Sequence, residues 1–486
     1  MKARTRIAPS PTGYMHIGTL HTALFNYFIA RQTGGEFIIR IEDTDRERLV
    51  EGSLENLLNV FKELGLEHDE GPFLDKDGVI DEKGEFGPYT QSQRLDIYHQ
   101  YINQLLDQGD AYRCFCTKER LEEMREAQKA TKQTPKYDRT CCRFSATEVQ
   151  TMLDAGEPYV VRMKISEGET VFKDEIRGTI RIQNSEIDDQ VILKSDGFPT
   201  YHLAVVVDDS LMKITHVVRG EEWVPSTPKH VILYKMLGLD LPKFAHLPLL
   251  LNSDKTKLSK RQGDVAVEDY LTQGYLPEAL LNFVGTLGFN PSGDREIYSI
   301  KELVEKFDLK KVNKSGAVMN LEKLRWMNNQ YLQKLTDAEL KKFVSSFIQA
   351  DLNNPVVLRA LTIEKTRADQ LSELQEKIEP YLTMPACDPS ILVWKKSDAA
   401  DAKNQLLNLK KYLEGVGEID FESVTKIEES LRSYIEKNEL QNGNVLWPLR
   451  VALSGREKSA SPFEFLWVLG KEESLARIER ASEILV

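Results

Sequence analysis

Between residues 4 and 64 the chain alternates a strand pattern, a helical pattern, a second strand and a second helix, and that order leaves few folds open. Arg4 to Ala8 reads as a short strand and PSPTG at 9–13 as a turn. The next apolar residues, Leu20, Ala23, Leu24, Tyr27 and Phe28, recur at helical spacing. EFIIRI at 36–41 has the β-branched density of a buried strand, and Leu54, Leu57, Leu58, Phe61 and Leu64 mark a second amphipathic helix. Strand, helix, strand, helix implies a parallel sheet in an α/β domain.

A second α/β stretch covers about 190–250, with strand-like VILK at 191–194 and ITHVVR at 214–219 and a helix from about Ser226 to Leu237. The intervening 110–190 differs in character. It holds a cysteine cluster and the strand candidates PYVVRM at 158–163 and VFKDEIRGTIRI at 171–182, and reads as an insertion within one α/β domain. After about residue 320 the pattern is helical almost throughout, as in LEKLRWMNNQYLQKL, DAELKKFVSSFIQ and ESLRSYIEKNEL, with MPACDPS at 384–390 as a break between two helical parts.

A chain of 486 residues exceeds one ordinary core. Its 41% hydrophobic and 29% charged content is that of a globular protein, and no apolar run approaches the ~18 residues of a membrane span. The opening MKARTRIAPSPTG has no secretory pattern, so the expected location is the cytoplasm. Five cysteines, four of them clustered as Cys114, Cys116, Cys141 and Cys142, suit a metal site better than a disulfide scaffold. The net charge of −12 excludes little, because nucleic acid is bound by local patches; Lys306, Lys310, Lys311 and Lys314 form one candidate, with a solvated surface as the plainer reading.

Two segments carry chemistry. Pro9, Pro11 and Gly13 shape the first turn, and His16, Gly18 and Thr19 then stand at the start of the first helix, where N–H groups and the positive dipole end favour phosphate. Taken alone, a histidine there is more often a cap. The second segment, LNSDKTKLSKRQGD at 251–264, crowds Lys255, Lys257, Lys260 and Arg261 beside Ser253 and Gly263. Alone it would be a solvated loop; facing a triphosphate it would neutralise the leaving pyrophosphate. Neither GxGxxG nor GxxxxGK[ST] accompanies them.

Together, HIGT at 16–19 and KLSKR at 257–261 resemble the two signatures of class I aminoacyl-tRNA synthetases. RIAPSPTG at 6–13, RIEDTD at 40–45, GPYTQSQR at 87–94, SDGFPTYHLAVVVDD at 195–209, VVRGEEW at 217–223 and LEKLRWMN at 321–328 are similar to those of bacterial glutamyl-tRNA synthetases. The resemblance implies formation of glutamyl-adenylate from L-glutamate and ATP with Mg2+, then transfer to tRNA(Glu), leaving tRNA(Gln) open, by a monomer without membrane contact. It implies His16, Lys257 and Lys260 as catalytic residues, with His16, Gly18, Thr19, Lys257, Ser259, Lys260 and Arg261 at ATP. It implies Arg6, Ala8, Ser10, Glu42, Tyr201 and Arg219 at glutamate, Glu42 facing the ammonium. Val205 stands where some relatives have Asn, which removes one polar contact to the substrate.

Zinc-binding members of that family carry a pattern resembling C-x-C-x24-C-x-H, and Cys114, Cys116 and Cys141 match its first three positions. Arg143 occupies the fourth and cannot ligate; Tyr137 or Cys142 would complete the set, and metal-free thiols are the alternative. The implied architecture is a Rossmann-type catalytic domain at 1–109 and 191–250, an acceptor-stem-binding insertion at 110–190 and a KLSKR and stem-contact region at 251–325. All-α anticodon-binding parts follow at 326–386 and 387–486. Within 444–481 a basic turn runs from Arg456 to Lys458, while Trp447, Phe463, Phe465 and Trp467 read as core rather than as stacking platforms for bases. The helical tail argues against a glutaminyl enzyme with its β-barrels, against a tail-less tRNA-modifying paralogue and against a small-molecule nucleotidylyltransferase. Intact His16, Lys257 and Lys260 argue against an inactive RNA-binding relative.

Overall fold

The structure, a computed structural model, describes residues 2–258, 266–384, 386–395, 397–417 and 421–485. It divides into two compact units, Met1–Leu271 with Pro277–Leu321, and Thr272–Leu276 with Glu322–Val486. Among the described residues no helix is long and apolar enough to cross a membrane.

In the first unit, β1 (Arg4–Ile7), α1 (Ile17–Gln32), β2 (Glu36–Ile39) and α2 (Ser53–Glu63) follow the expected alternation. A hairpin of β3 (Gly71–Leu74) and β4 (Ile80–Lys83) and then α3 (Leu95–Gln108) come next. The following segment contains β5 (Ala111–Cys114), α4 (Lys118–Ala130), α5 (Ala146–Asp154), β6 (Val160–Met163), β7 (Glu169–Asp174), β8 (Gly178–Gln183) and β9 (Val191–Leu193). After it come α6 (Tyr201–Leu211), β10 (His216–Gly220), α7 (Thr227–Met236), β11 (Lys243–Leu247), the two-residue β12 (Leu250–Leu251), α8 (Val267–Thr272), α9 (Pro277–Gly285), α10 (Ile300–Lys306) and β13 (Ala317–Val318).

β1 and β2 are parallel, with Arg4 opposite Glu36 and Ile7 opposite Ile39. On its other edge β1 meets the approach to β10: the Thr215 amide donates to Arg4 O at 2.9 Å and the Arg4 amide to Thr215 Oγ1 at 2.8 Å. β10 and β11 are parallel, and β11 is followed in the sheet by β7, parallel to it, and by β8, antiparallel to β7. The strand order therefore reverses between β1 and β10, and at such a switch point the carboxyl ends of the strands open a crevice.

α1 is buried nearly all round. Leu20, Ala23, Leu24 and Phe28 are fully covered as the spacing predicts, and so are Ile17 and Phe25. Phe25 and Phe28 pack against Phe307, with Phe289 closing the cluster. Each such side chain contributes roughly 1.5–3 kcal/mol of burial, which makes α1 a fixed post for whatever its N-terminus presents.

Two strands differ from expectation. VILK, read as opening the second half of the parallel sheet, forms β9, which pairs antiparallel with β6, itself antiparallel to β5. The place beside β11 is taken by β7, so a segment read as part of the insertion extends the parallel sheet. VFKDEIRGTIRI is not one strand but a hairpin, because Asp174 Oδ1 accepts from the amides of Ile176 and Arg177 and turns the chain.

Among its described residues the second unit is helical from Leu321–Leu332, whose first residue belongs to the first unit, through Asp337–Val344 to Pro462–Ile484. Phe463 and Phe465 are core, whereas Trp447 and Trp467 are half-buried and donate their indole N–H to Ile391 O at 2.8 Å and Glu422 O at 3.2 Å. MPACDPS joins helix Leu374–Leu382 to Pro389–Leu392, with Pro385 outside the described residues.

Candidate functional site

The crevice at the switch point is a cleft of about 1190 Å3. Arg6, Ala8, Ser10, His16, Gly18, Thr19, Glu42, Tyr201, Arg219 and Lys257 all line it, so the cleft gathers residues that are widely separated in sequence. Ser259, Lys260 and Arg261 lie outside the described residues. Val205 faces the apolar cluster of α3, α6 and α7 and is not part of the cleft lining.

His16 is the N-cap of α1. Its extended backbone lets Nδ1 accept from the Gly18 amide at 2.9 Å, so a neutral ring carries its proton on Nε2. The capping and functional readings of this residue are thus compatible, since the cap orients the donor. Two first-turn amides expected to be open to phosphate already have acceptors, Gly18 in that imidazole and Thr19 in His16 O at 2.8 Å. A Cβ on Gly18 would stand 3.2 Å from His16 Nδ1, so the glycine leaves room for the ring.

The basic segment begins as a tight hairpin rather than a loop. Leu251 pairs antiparallel with Lys257, Leu258 N–H donates to Leu250 O at 3.0 Å, and Asp254 Oδ1 accepts from the Thr256 amide and hydroxyl. This folds Lys255 outward at the tip and leaves Lys257 at the cleft. Beyond it, Ala266 bridges to His16 and the Val267 amide donates to Met15 O at 2.8 Å. Asn56 joins the same contact, accepting from the Met15 amide and donating to Glu268 Oε1 at 3.0 Å. The two signature segments are therefore stitched to each other at their bases.

Arg6 and Arg219 enter from β1 and β10. Arg6 Nε and Nη2 donate to the two oxygens of Asp209 at 3.0 and 3.3 Å, and Arg40 Nη1 reaches the same carboxylate at 2.6 Å. The arginines outweigh the cost of burial, so Asp209 stays below the ordinary carboxylate range. Arg40 Nη2 also donates to Glu42 Oε1 at 3.0 Å. For Glu42 burial wins over Arg40 and Arg6, and its carboxyl is raised. Tyr201, whose hydroxyl accepts from Arg219 Nη1 at 2.9 Å, packs its ring 4.4 Å from Trp223. Trp223 lines the cleft and was not singled out as a site residue; a tryptophan next to a charged GEE run gives no local sign of its side.

The cysteine cluster is a separate centre. Sγ of Cys114, Cys116 and Cys141 lie within 4.8 Å of one another, and Tyr137 Oη is 3.4 Å from both Cys114 Sγ and Cys116 Sγ. Four donors converging so closely fit a tetrahedral zinc ion. Arg120 Nη1 lies 3.4 Å from Cys116 Sγ and the Arg162 guanidinium sits over the Tyr137 ring, cations that would balance the excess negative charge of three thiolates on a divalent ion. Cys142 is not in the cluster. Lys306, Lys310, Lys311 and Lys314 are all exposed.

Comparison with known proteins identifies the family. Residues 2–326 match the family model of class I tRNA synthetases (E and Q), catalytic domain, and residues 321–482 match an anticodon binding domain. The chain is 45% identical to a glutamate–tRNA ligase of Clostridioides difficile, covering 98% of each chain. It is also 45% identical to one of Chloroherpeton thalassium, over 99% of this chain and 98% of that protein. A crystal structure of a glutamate tRNA ligase from Elizabethkingia meningosepticum in complex with its amino acid superposes with a TM-score of 0.88 at 35% identity, over the whole of both chains.

Proposed function

Because the chain belongs to the class I tRNA synthetases for glutamate and glutamine, we propose that its cleft activates glutamate with the residues named above. The reaction is that of a glutamate–tRNA ligase: L-glutamate and ATP give glutamyl-adenylate and pyrophosphate, and the glutamyl group passes to the 3′ end of tRNA(Glu). The substrate's ionised α-carboxylate attacks the α-phosphorus, the bond to the bridging oxygen breaks, and pyrophosphate leaves with that electron pair. No general base is needed, so alignment and charge stabilisation carry the rate.

In this reading His16 Nε2–H and Lys257 face the phosphates, and Ser259, Lys260 and Arg261, outside the described residues, complete the same role with Mg2+ as the counter-ion of the triphosphate. Arg6 and Arg219 hold the carboxylates of glutamate, Glu42 meets its ammonium, and Ala8, Ser10 and Tyr201 shape the pocket. The observation that supports this is the convergence of His16, Gly18 and Thr19, of Lys257 at the start of the second signature, and of both arginines on one cleft. Glutamate-dependent exchange of pyrophosphate into ATP, with tRNA(Glu) present, tests it; no exchange above a no-glutamate control overturns it. Charging a tRNA(Gln) transcript in parallel decides whether that tRNA is also a substrate.

We also propose that Cys114, Cys116, Cys141 and Tyr137 hold Zn2+, which when bound clamps the segment between β5 and α5 without entering the reaction. Elemental analysis of the purified protein should find one zinc per chain, and a Cys116→Ser variant much less; absence of zinc in the parent overturns the assignment.

A further inference from the structure

The two arginines of the amino-acid pocket are electrostatically unlike. Arg6 is paired head-on with the Asp209 carboxylate. The hydrogen-bond acceptors around Arg219, among the described residues, are all neutral. Nε donates to His246 Nε2 at 3.1 Å, Nη2 to Thr227 Oγ1 at 2.8 Å, and Nη1 to the Tyr201 hydroxyl, with His230 Nδ1 at 3.3 Å. Both imidazoles are buried, and burial lowers His246 and lowers His230 well below the ordinary histidine value, so neither adds a charge beside the guanidinium.

The nearest carboxylate in this line stands one ring further away. Asp174 Oδ2 accepts from His246 Nδ1 at 2.6 Å, with both side chains fully buried. Three neighbouring strands carry the line: Arg219 on β10 is directly opposite His246 on β11, and β7, which ends at Asp174, flanks β11. Asp174 is itself held by the Ile176 and Arg177 amides, and Arg177 Nε donates to His246 O at 3.2 Å.

Physical chemistry explains why such a line would be built. An arginine in direct contact with a buried carboxylate has its charge cancelled before substrate arrives. An arginine facing a neutral imidazole keeps its charge, but only if that ring turns a lone pair toward it; the other tautomer would set N–H against N–H. A carboxylate on Nδ1 enforces the useful tautomer, as second-shell carboxylates do for metal-bound histidines.

We infer that His246 and Asp174 are positioning residues for amino-acid recognition: they hold Arg219 in place while leaving its charge uncompensated for a substrate carboxylate. This rests on the reading that Arg219 contacts glutamate. It also gives the segment between the two halves of the sheet a part in the amino-acid pocket, through a residue that touches neither substrate.

The test compares near-isosteric side chains. His246→Gln keeps a neutral acceptor toward Arg219 Nε, whereas His246→Glu places a carboxylate there. With thermal melting as a check on folding, the KM for glutamate in His246→Glu should exceed that in His246→Gln by about tenfold or more, while the KM for ATP is the same in both. Asp174→Leu should raise the glutamate KM, and Asp174→Asn, which retains an oxygen facing Nδ1–H, should reverse most of that rise. A merely structural role would not separate Glu from Gln at one position or Asn from Leu by glutamate KM alone. Equal glutamate KM values in the two His246 variants, or in the two Asp174 variants, overturn the inference. Arg219→Met serves as the reference: an unchanged glutamate KM there overturns instead the assignment of Arg219 to glutamate.

Discussion

At the scale of single residues, the site depends on where a few protons and charges are held. His16 offers Nε2–H because Nδ1 caps α1, and the ring has room because residue 18 lacks a side chain. Gly18→Ala should gain up to about 1 kcal/mol of helix propensity and lose part of it to the displaced cap, so melting should shift little. Pyrophosphate exchange should nevertheless fall by about tenfold or more, because the donor is misplaced; a variant with full exchange activity would show that the cap does not orient the reacting group. Glu42 supplies a pH signature. Its carboxyl is raised by burial, so the charge proposed to face the ammonium is lost as pH falls through that raised value. The glutamate KM should therefore climb on acidification already above pH 4.5. Glu42→Gln should start from a higher KM and flatten that climb, and steady-state kinetics from pH 8 downward would check both. That Arg6, Glu42, Tyr201 and Arg219 would meet at one cleft was legible because they sit in family-like motifs. Asp209 as partner of Arg6 was not, since the two are 203 positions apart and no local pattern connects them. His246, in the plain-looking KFAHLP, gave no signal either.

Elements show where periodicity is informative and where it fails. The spacing of α1 and α2 predicted real helices, and α1 is buried more completely than a one-sided stripe would suggest. Strand patterns identified β6 and β9 as strands but not their partners, because a β-branched run looks the same in a parallel and an antiparallel sheet until its neighbours are known. The helical unit contains a similar blind spot. Arg477 is one of three charges in SLARIERA, yet only 2% of it is exposed. Its Nη1 donates to Pro380 O at 2.5 Å and Leu453 O at 2.7 Å, and Nη2 to Tyr381 O at 3.2 Å. One guanidinium thus meets the carbonyl-rich C-terminal ends of helices Leu374–Leu382 and Asn442–Ser454, where a cation is favoured. Arg477→Met keeps the apolar stem and leaves those carbonyls without a donor, which should cost about 3 kcal/mol or more. Four of the five tryptophans, Trp326, Trp394, Trp447 and Trp467, belong to this unit, so fluorescence-detected urea unfolding would report the loss; an unchanged midpoint would refute the role.

For the molecule as a whole, an acidic chain of net charge −12 has a polyanion as its substrate. Its tRNA contacts must then come from local cations working against the overall field, and they should be strongly screened. The KM for tRNA should rise by at least about tenfold between 50 and 200 mM salt, while the KM for glutamate, whose proposed cleft is lined by buried charges, moves far less; parallel salt titrations of charging would check this. The helical character of the tail was readable from periodicity, but its RNA role came only through resemblance, since bases are recognised by a few exposed side chains that leave no period in the sequence.

The pairing of β1 with the approach to β10 also has a temporal side. On the ribosome, residue 4 emerges 211 positions before its sheet neighbour at 215. At roughly 5–20 residues per second, the inner edge of the first strand waits on the order of 10–40 s for its partner, with β2 alone beside it. A half-sheet of that kind is an open template for other chains during synthesis, so the demand of this protein on nascent-chain chaperones should be concentrated in that interval and end once the second half of the sheet has left the exit tunnel.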